Sequence, residues 1–357
     1  MTPPILRPIR LLGALALLLA ATLCPAQRAP MDPTHTLGIE SCRECHDSIV
    51  ESWERTRHAT SFGTMTKSEA AKAIASLAGL KPEAVTSSVS CARCHFTQET
   101  LSGALQTTTA VSCESCHGGA SDWIDLHNSK SRPWPERIAQ AAAHGMHHPS
   151  SVLAAAQSCY ECHVIDDEQL VNQTGHPALS DGFELVSWYS GEVKHNYLVS
   201  KPGKAVKTNV EEPQGLPAAR KRLLFLTGKL LHLAHSLDAI ARSTDAPVDK
   251  AGKLVRLPNG RPTYAVQHAL VVQQLLKEMR ELQGKLSIPQ YAQALALCAS
   301  TPLTTGHAED LTTTAKEIQR LAAEFAAQND GSRFAALDAE IAKLPAHGQA
   351  KVQAAAR

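Results

Sequence analysis

The chain has 357 residues, with 35 basic and 34 acidic side chains and a formal net charge of +1 at pH 7. This length can bury a sizeable core in one large domain or two smaller ones. The balanced charge does not provide the basic surface that nucleic acid or an anionic membrane would attract. We therefore expect no nucleic-acid partner.

The first 26 residues have the pattern of an export signal. Two arginines precede an almost unbroken apolar run over residues 11–23, and cleavage is most simply placed after Ala26. The run is shorter than the roughly 20 apolar residues that span a bilayer, so an uncleaved anchor is the less favoured alternative. Bulky Leu23 disfavours lipid attachment at Cys24. We expect no membrane span in the mature chain and a periplasmic or otherwise exported location.

Eight of the ten cysteines fall into four copies of the pattern Cys-X-X-Cys-His, which we number motifs 1 to 4 in chain order. The motifs are Cys42-Arg-Glu-Cys45-His46, Cys91-Ala-Arg-Cys94-His95, Cys113-Glu-Ser-Cys116-His117 and Cys159-Tyr-Glu-Cys162-His163. Two thiols one helical turn apart can form thioether bonds to the two vinyl groups of one haem. The adjacent histidine then binds the iron as proximal ligand. The sequence therefore predicts four covalently bound haem c groups.

Three other chemistries use paired cysteines. Cys91, Cys94, Cys113 and Cys116 have the spacing of a two-knuckle zinc ribbon, but zinc gives no reason for a histidine after every pair. Disulfides are compatible with an oxidising compartment, and a thioredoxin-like redox pair would need only one copy. Haem is the favoured interpretation, because it explains the histidine after every cysteine pair. The predicted export agrees with haem, since c-type attachment is completed outside the cytoplasm.

The spacing of the motifs carries the main functional inference. All four lie between residues 42 and 163. On the order of thirty residues per haem are too few to wrap each haem in a globin-like shell of its own. The haems must therefore lie close together, as an electron relay requires.

A haem that only transfers electrons needs a second axial ligand. Of the 17 histidines, 13 lie outside the motifs. We predict His58, His127, His176 and His195 as the distal ligands, and the spacing does not assign them to particular haems. Since the chain has only five methionines, we expect bis-histidine ligation and low potentials.

Three stretches carry a family resemblance. C-R-E-C-H is followed by W-E-R-T-R-H, C-E-S-C-H-G-G by W-I-D-L-H, and C-Y-E-C-H by G-H-P and W-Y-S-G-E-V-K-H-N-Y. Residues 38–197 thereby resemble the tetrahaem cytochrome c554 family and related exported multihaem cytochromes. The resemblance implies the proximal ligands His46, His95, His117 and His163, with the four distal candidates above.

The resemblance leaves two points open. The segment 144–148 matches nothing in the family with certainty, so Met146, His147 or His148 could replace one distal ligand. Cytochrome c554 also has one five-coordinate haem. If that pattern transfers, motif 2 is the first candidate for it, because no tryptophan–histidine segment follows His95.

The remaining segments predict helices and loops. Thr66-Lys-Ser-Glu69 has the pattern of a capping box that begins a helix ending at about Leu77. Residues 129–135 are predicted to form a loop. Beyond residue 217, apolar residues recur at helical spacing. The predicted helices cover residues 217–241, 264–286, 311–327 and 334–344.

The predicted fold class is mainly α, with little regular β structure. The predicted parts are a signal peptide (1–26), a tetrahaem cytochrome domain (35–200), a linker (201–217) and a C-terminal helical bundle (218–357). The bundle has no haem motif, and His232, His235 and His268 are interpreted as ordinary structural residues. Cys298 is interpreted as a buried core thiol.

Electron transfer between redox partner proteins is the expected function. The alternative is a multihaem oxidoreductase in which one five-coordinate haem acts on a small nitrogen or sulfur species such as nitric oxide, nitrite or hydroxylamine. A haem-based sensor or a structural unit of an extracellular assembly is a third class. The sequence does not specify the donor, the acceptor or the oligomeric state.

Overall fold

The computed structural model describes residues 31–180, 182–193, 198–200, 209–211, 216–245, 253 and 255–347. The predicted signal peptide, 1–26, and the predicted ligand His195 lie outside these residues. The α-helices are α1 (Ile39–Trp53), α2 (Arg57–Met65), α3 (Glu69–Leu77), α4 (Val89–His95), α5 (Cys113–His117), α6 (Ile124–Asn128), α7 (Trp134–Ala143), α8 (Val152–His163), α9 (Glu168–Thr174), α10 (Leu185–Gly191), α11 (Ala218–Arg242), α12 (Tyr264–Leu286), α13 (Pro289–Ser300), α14 (Ala308–Gln328) and α15 (Asp338–Ile341). The mainly α fold class is thereby confirmed.

Each Cys-X-X-Cys-His motif occupies a helical turn that stops at its histidine. Helices α4, α5 and α8 have the motif histidine as their last residue, and α1 breaks at His46, whose φ of −118° and ψ of 38° are not helical. Residues three apart on a helix share one face. The two cysteines of each motif therefore point to the same side, and the histidine follows at the helix end.

Two antiparallel hairpins are the regular β structure in the described residues. Strands β1 (Thr97–Leu101) and β2 (Ala104–Thr109) pair between motifs 2 and 3. Strands β3 (Leu198–Ser200) and β4 (Asn209–Glu211) pair with Val199 opposite Val210. Strand β4 lies within the segment 201–217, which the sequence predicts to be a linker.

Helices α11 to α14 form the C-terminal bundle around the largest hydrophobic core. Its most buried side chains include Leu226, Leu230, Tyr291 and Phe325. The buried hydroxyl of Tyr291 is satisfied, since it donates to the backbone oxygen of Leu226 over 2.8 Å. By length and hydropathy α11 could cross a membrane, but 83 % of its most apolar window is buried inside the protein, as in the core helix of a soluble protein.

The motif 4 helix belongs to this same core. Helix α8 packs against α11, and Val152, Ala156 and Tyr160 of α8 are buried together with the leucines of α11. Apolar burial of this kind stabilises by about 25 cal/mol per Å² removed from water. Residues on both sides of the predicted linker, 201–217, therefore belong to one hydrophobic core.

One predicted helix start is wrong by two residues. The N-cap of α3 is Ser68, whose hydroxyl accepts the Ala71 N–H over 3.3 Å. Thr66 instead ends α2, where its hydroxyl donates to the Phe62 oxygen over 3.0 Å. The first turn of α3 is therefore capped by Ser68 and not by Thr66.

Two predictions of loop and helix also need correction. The predicted loop 129–135 ends early because α7 begins at Trp134 with proline in its first turn, a position that proline favours. The predicted helix 334–344 is broken into a 3₁₀ turn, Ser332–Leu337, and the short α15. Phe334 leaves helical geometry there and is buried with its ring 5.6 Å from Phe325.

Candidate haem sites

Three of the four predicted distal histidines lie opposite a motif histidine. His46 of motif 1 faces His127, with ring centroids 5.9 Å apart. His95 of motif 2 faces His176 at 6.3 Å, and His163 of motif 4 faces His58 at 6.2 Å. Each pair joins a helix end to a segment that lies far from it in the chain.

The spacing of these ring pairs fits one metal ion between them. Two imidazoles that ligate one metal from opposite sides, each through a bond of about 2 Å, have ring centroids on the order of 6 Å apart. The Nδ1 atoms of His46, His127 and His163 are buried without a hydrogen-bond partner in the described part of the chain. These rings are therefore not held by competing hydrogen bonds at Nδ1.

The protonation state of the rings also fits ligation. Burial lowers the pKa of His95 to about 4 and that of His163 to about 3. Burial likewise lowers the pKa of His46, His58 and His127. Neutral imidazole is the form that binds metals, so these histidines are ready as ligands at pH 7.

A cavity of about 440 Å³ is lined by both His95 and His176. Its walls also include the motif 2 thiols of Cys91 and Cys94. The remaining lining combines an apolar part, with Ile74, Ala75, Leu80, Val85 and Leu170, and a polar part that includes Arg93, Glu161 and Asp166. Both thiols, two imidazoles and an apolar wall are what a covalently attached haem requires.

Aromatic rings fix the histidine pair of motif 4. Phe183 stacks on His163 with centroids 3.9 Å apart and planes 14° apart. Trp188 contacts both histidines, at 5.2 Å from His163 and 5.9 Å from His58. No local sequence pattern predicts the role of Phe183, because the ring reaches motif 4 from twenty residues along the chain.

A buried glutamate fastens motif 1 onto motif 3. The Glu114 carboxylate, inside motif 3, accepts the backbone N–H groups of Leu37, Gly38 and Ala120 over 2.8 to 3.0 Å. Glu114 is 1 % exposed, and burial raises its pKa although these hydrogen bonds act in the opposite direction. Hydrogen bonds to a charged group contribute about 1.5 to 3 kcal/mol each. The start of α1 is thus tied directly to the third motif.

The proximal histidine of motif 3 is held by the backbone of the segment 144–148. His117 Nδ1 lies 2.7 Å from the His147 oxygen, and the His147 N–H donates to the His117 oxygen over 2.9 Å. Met146 is buried in a small core with Trp123, and His148 contacts Trp134 and Ser150. The fourth predicted distal ligand, His195, lies outside the described residues.

The tryptophans that precede two of the distal histidines have different roles. Trp123 stands edge-on to His127, with centroids 5.7 Å apart and planes 85° apart. Trp53, which precedes His58, donates its indole N–H to the Val111 oxygen over 3.0 Å. Trp53 thereby ties α1 to the segment before motif 3.

Direct contacts join all four motifs, with motif 3 in contact with each of the others. The thiols of Cys42 in motif 1 and Cys113 in motif 3 lie close enough to shift each other's pKa. Ser158, just before motif 4, donates to the Cys116 oxygen of motif 3 over 3.3 Å. The Cys162 thiol of motif 4 donates to the Arg93 oxygen of motif 2 over 3.8 Å. Thr97, two residues after motif 2, lies within hydrogen-bond distance of the Ser115 hydroxyl of motif 3, at 2.9 Å.

The arrangement does not favour zinc or disulfides. The thiols of motifs 2 and 3 contact those of motifs 4 and 1, so the four cysteines of the suggested zinc ribbon do not converge. Among the described residues, no group of three or more histidines, cysteines or acidic residues is placed to hold a metal ion. No disulfide joins any two of the nine cysteines in this part of the chain.

The histidines of the bundle pack inside the core. His232 stacks on Tyr160 of motif 4 with centroids 5.0 Å apart, and His235 lies 6.1 Å from the same ring. His268 is fully buried against Tyr264. Cys298 is 4 % exposed in the bundle core, as predicted.

Residues 41–118 match the family model described as cytochrome c554 and c-prime. Over this segment the chain is similar to the cytochrome c554 family. The match supports a c-type cytochrome with covalently bound haem c and a role in electron transfer. The matched segment contains motifs 1 to 3 and ends before motif 4. Neither a curated protein nor a solved structure gives a significant match to the chain.

Proposed function

We propose that this cytochrome carries four haem c groups and transfers electrons between two redox partner proteins on the exported side of the membrane. The observation that supports it best is the set of three histidine pairs, each with a motif histidine and a second ring about 6 Å away. At these three haems, ligation on both faces would leave no iron position open to a substrate. Such sites favour an electron carrier over an enzyme.

The proposed ligand pairs follow the ring contacts. They are His46 with His127 for motif 1, His95 with His176 for motif 2, and His163 with His58 for motif 4. For motif 3 we assign His117 with His195, the remaining predicted distal ligand. Each bound haem iron would take up and release one electron.

The proposed electron path follows the contacts between motifs rather than their order in the sequence. Motif 3 contacts motifs 1, 2 and 4, and motif 4 also contacts motif 2. Motif 1, joined to motif 3, is then one end of the path. A partner protein would exchange electrons at this end, where Cys45 of motif 1 is exposed.

The first test is spectroscopic. Purified holoprotein should contain four haems by pyridine haemochrome assay, with only low-spin signals in electron paramagnetic resonance and no optical change when nitric oxide is added to the reduced form. A high-spin fraction of about one quarter that binds nitric oxide would instead support the oxidoreductase with one five-coordinate haem. A redox titration with most haems at the higher potentials of histidine–methionine ligation would contradict the proposed ligand pairs.

A further inference from the structure

A buried carboxylate lies beside the distal ligand proposed for motif 4. Glu192 follows the end of α10 and is 2 % exposed. Its Oε1 atom accepts the backbone N–H of His58 over 2.5 Å and lies 3.5 Å from His58 Nδ1. A carboxylate so far from water is costly unless charged or hydrogen-bonding groups surround it.

The second oxygen of this carboxylate faces a histidine from the other end of the chain. His347 Nε2 lies 2.9 Å from Glu192 Oε2. The imidazole of His347 packs edge-on to Trp188, with centroids 4.9 Å apart and planes 86° apart. Two imidazoles, those of His58 and His347, therefore flank one buried anion.

The last described residues are fitted closely against α10. Ser187 donates its hydroxyl hydrogen to the Pro345 oxygen over 2.6 Å. A Cβ atom at Gly191 would lie only 2.5 Å from Cγ of His347, so glycine is needed for this close approach. The segment 345–347 thus covers the side of motif 4 from which His58 approaches.

Carboxylates next to ligating histidines have a general effect. A histidine that ligates a metal through one ring nitrogen commonly donates its other N–H to a carboxylate, which fixes the tautomer and raises the basicity of the ligand. A more basic ligand favours the more highly charged, oxidised metal. The potential of that metal is then lower than that of an otherwise similar site without the carboxylate.

We propose that Glu192 is a positioning residue for the motif 4 haem: it accepts the Nδ1 hydrogen of His58, directs Nε2 to the iron and lowers the potential of this one haem. His347 completes the arrangement from the C-terminal side. The inference rests on the proposed function, since it takes His58 to be the sixth ligand at motif 4.

The experiment compares Glu192→Gln with wild type as full-length holoprotein, using an optical redox titration of all four haems. Loss of an outer-shell carboxylate changes metal affinity by about 10- to 100-fold. If the substitution weakens the affinity for oxidised iron tenfold and leaves that for reduced iron unchanged, one of the four potentials should rise by about 59 mV. This is the value of a tenfold change for a one-electron couple. The other three potentials should stay in place.

Two further variants separate this role from a merely structural one. Glu278→Gln is the matched control, because Glu278 is a partly buried carboxylate that pairs with Lys229 in the bundle over 2.5 Å. It should leave all four potentials unchanged. Glu192→Asp keeps the charge and should return the affected potential toward the wild-type value. Since it keeps the charge, it also serves as the test if Glu192→Gln does not mature with four haems.

The outcomes distinguish the two proposals. If His58→Ala leaves all haems low-spin, the ligand assignment at motif 4 is wrong and the proposed function must be revised. If His58→Ala makes one haem high-spin but Glu192→Gln shifts no potential more than Glu278→Gln does, only the role of Glu192 is overturned. A shift in a single potential, restored in Glu192→Asp, supports both.

Discussion

At the scale of single residues, each described histidine pair combines a rigid motif histidine with one brought in from elsewhere. The motif histidine is fixed at the end of a helix, and its partner reaches it from another segment. Burial lowers the pKa of His95 to about 4 and that of His163 to about 3, so these motif histidines are neutral at pH 7. A single substitution at the partner should therefore open one site and leave the others closed.

His176→Ala tests this expectation at motif 2. Removing the ring 6.3 Å from His95 leaves that haem with one axial ligand, so about one quarter of the haem should become high-spin. The reduced variant should then bind carbon monoxide at one haem per chain. Electron paramagnetic resonance and a carbon monoxide titration measure both effects.

The matched control is His144→Ala. His144 is an exposed histidine close in sequence to the alternatives Met146, His147 and His148. Its loss should leave every haem low-spin. An entirely low-spin spectrum for His176→Ala would contradict the proposed pairing at motif 2.

Sequence predicts which histidines meet but not how they pair. The proximal histidines follow from local chemistry, because the cysteines and the histidine lie within five consecutive residues, and the family resemblance points to the distal ones. The pairing of His58 with motif 4, more than a hundred residues away, depends on how α2 and α8 fold together. The carboxylates of Glu114 and Glu192 give no local signal, since their partners are backbone groups or residues distant in the chain.

At the scale of secondary structure, the function depends on helices that stop at the motif histidine. After motif 3 the stop is Gly118, with φ of 86° and ψ of 158°, a region that is essentially restricted to glycine. A Cβ atom at this position would lie 2.4 Å from the Gly145 oxygen. The glycine thus permits both the turn and the close approach of the segment that holds His117.

Gly118→Ala should destabilise the protein by roughly 2 kcal/mol or more, because backbone strain and steric overlap act together. The change should also weaken the bond from the His147 N–H to the His117 oxygen. Chemical denaturation of the holoprotein measures the free energy of unfolding. Gly63→Ala is the control, since Gly63 lies in α2 with open space around its Cα, and it should be neutral or slightly stabilising because alanine favours helix. A Gly118→Ala protein as stable as this control would show that the close approach at Gly118 is not needed.

Helix ends are the elements that sequence predicts least well here. Periodicity predicts α11, α12 and α14 to within a few residues, because buried leucines recur on one face. The start of α3 is misplaced since Thr66 and Ser68 are both good caps by residue type. Only the hydrogen bonds made in the folded chain distinguish them.

At the scale of the whole molecule, the bundle and the motif region share one core. Tyr160, inside motif 4, stacks on His232 of α11, and α8 buries its apolar face against the same helix. Sequence predicts the bundle but not this packing, because the contact joins residues about seventy positions apart. The role of the bundle is thus partly to hold motif 4 in place.

A chain truncated after residue 217 tests this dependence. It keeps all four motifs but exposes the face of α8 that packs on α11. We expect fewer than four haems per chain and rapid proteolysis, measured by haemochrome assay and limited digestion. A stable truncated protein with four haems would show that the region 35–200 folds as an independent domain.

The bundle histidines predict how stability depends on pH. Burial lowers the pKa of His268 to about 3, whereas an unfolded histidine titrates near 6.5. Below pH 6.5 the unfolded chain takes up a proton that the folded chain does not, so stability is full above this pH and falls as the pH is lowered. At pH 5 this one group should cost about 2 kcal/mol relative to pH 7.5.

His268→Gln should remove that part of the pH dependence, because glutamine does not titrate. The free energy of unfolding is measured at both pH values, and the difference from wild type isolates the contribution of His268. His307→Gln, at an exposed histidine of the bundle, is the control. Equal pH dependence in wild type and His268→Gln would show that His268 is not buried as a neutral ring.

The place of motif 4 also bears on how the protein is made. On the proposed function the exported chain emerges from its N-terminus, so motif 4 is the last to become available for haem attachment. In the folded protein it contacts motifs 3 and 2 and packs into the core of the bundle. A molecule that matures with only its first three haems would therefore lack haem at the place where the motif region meets the bundle.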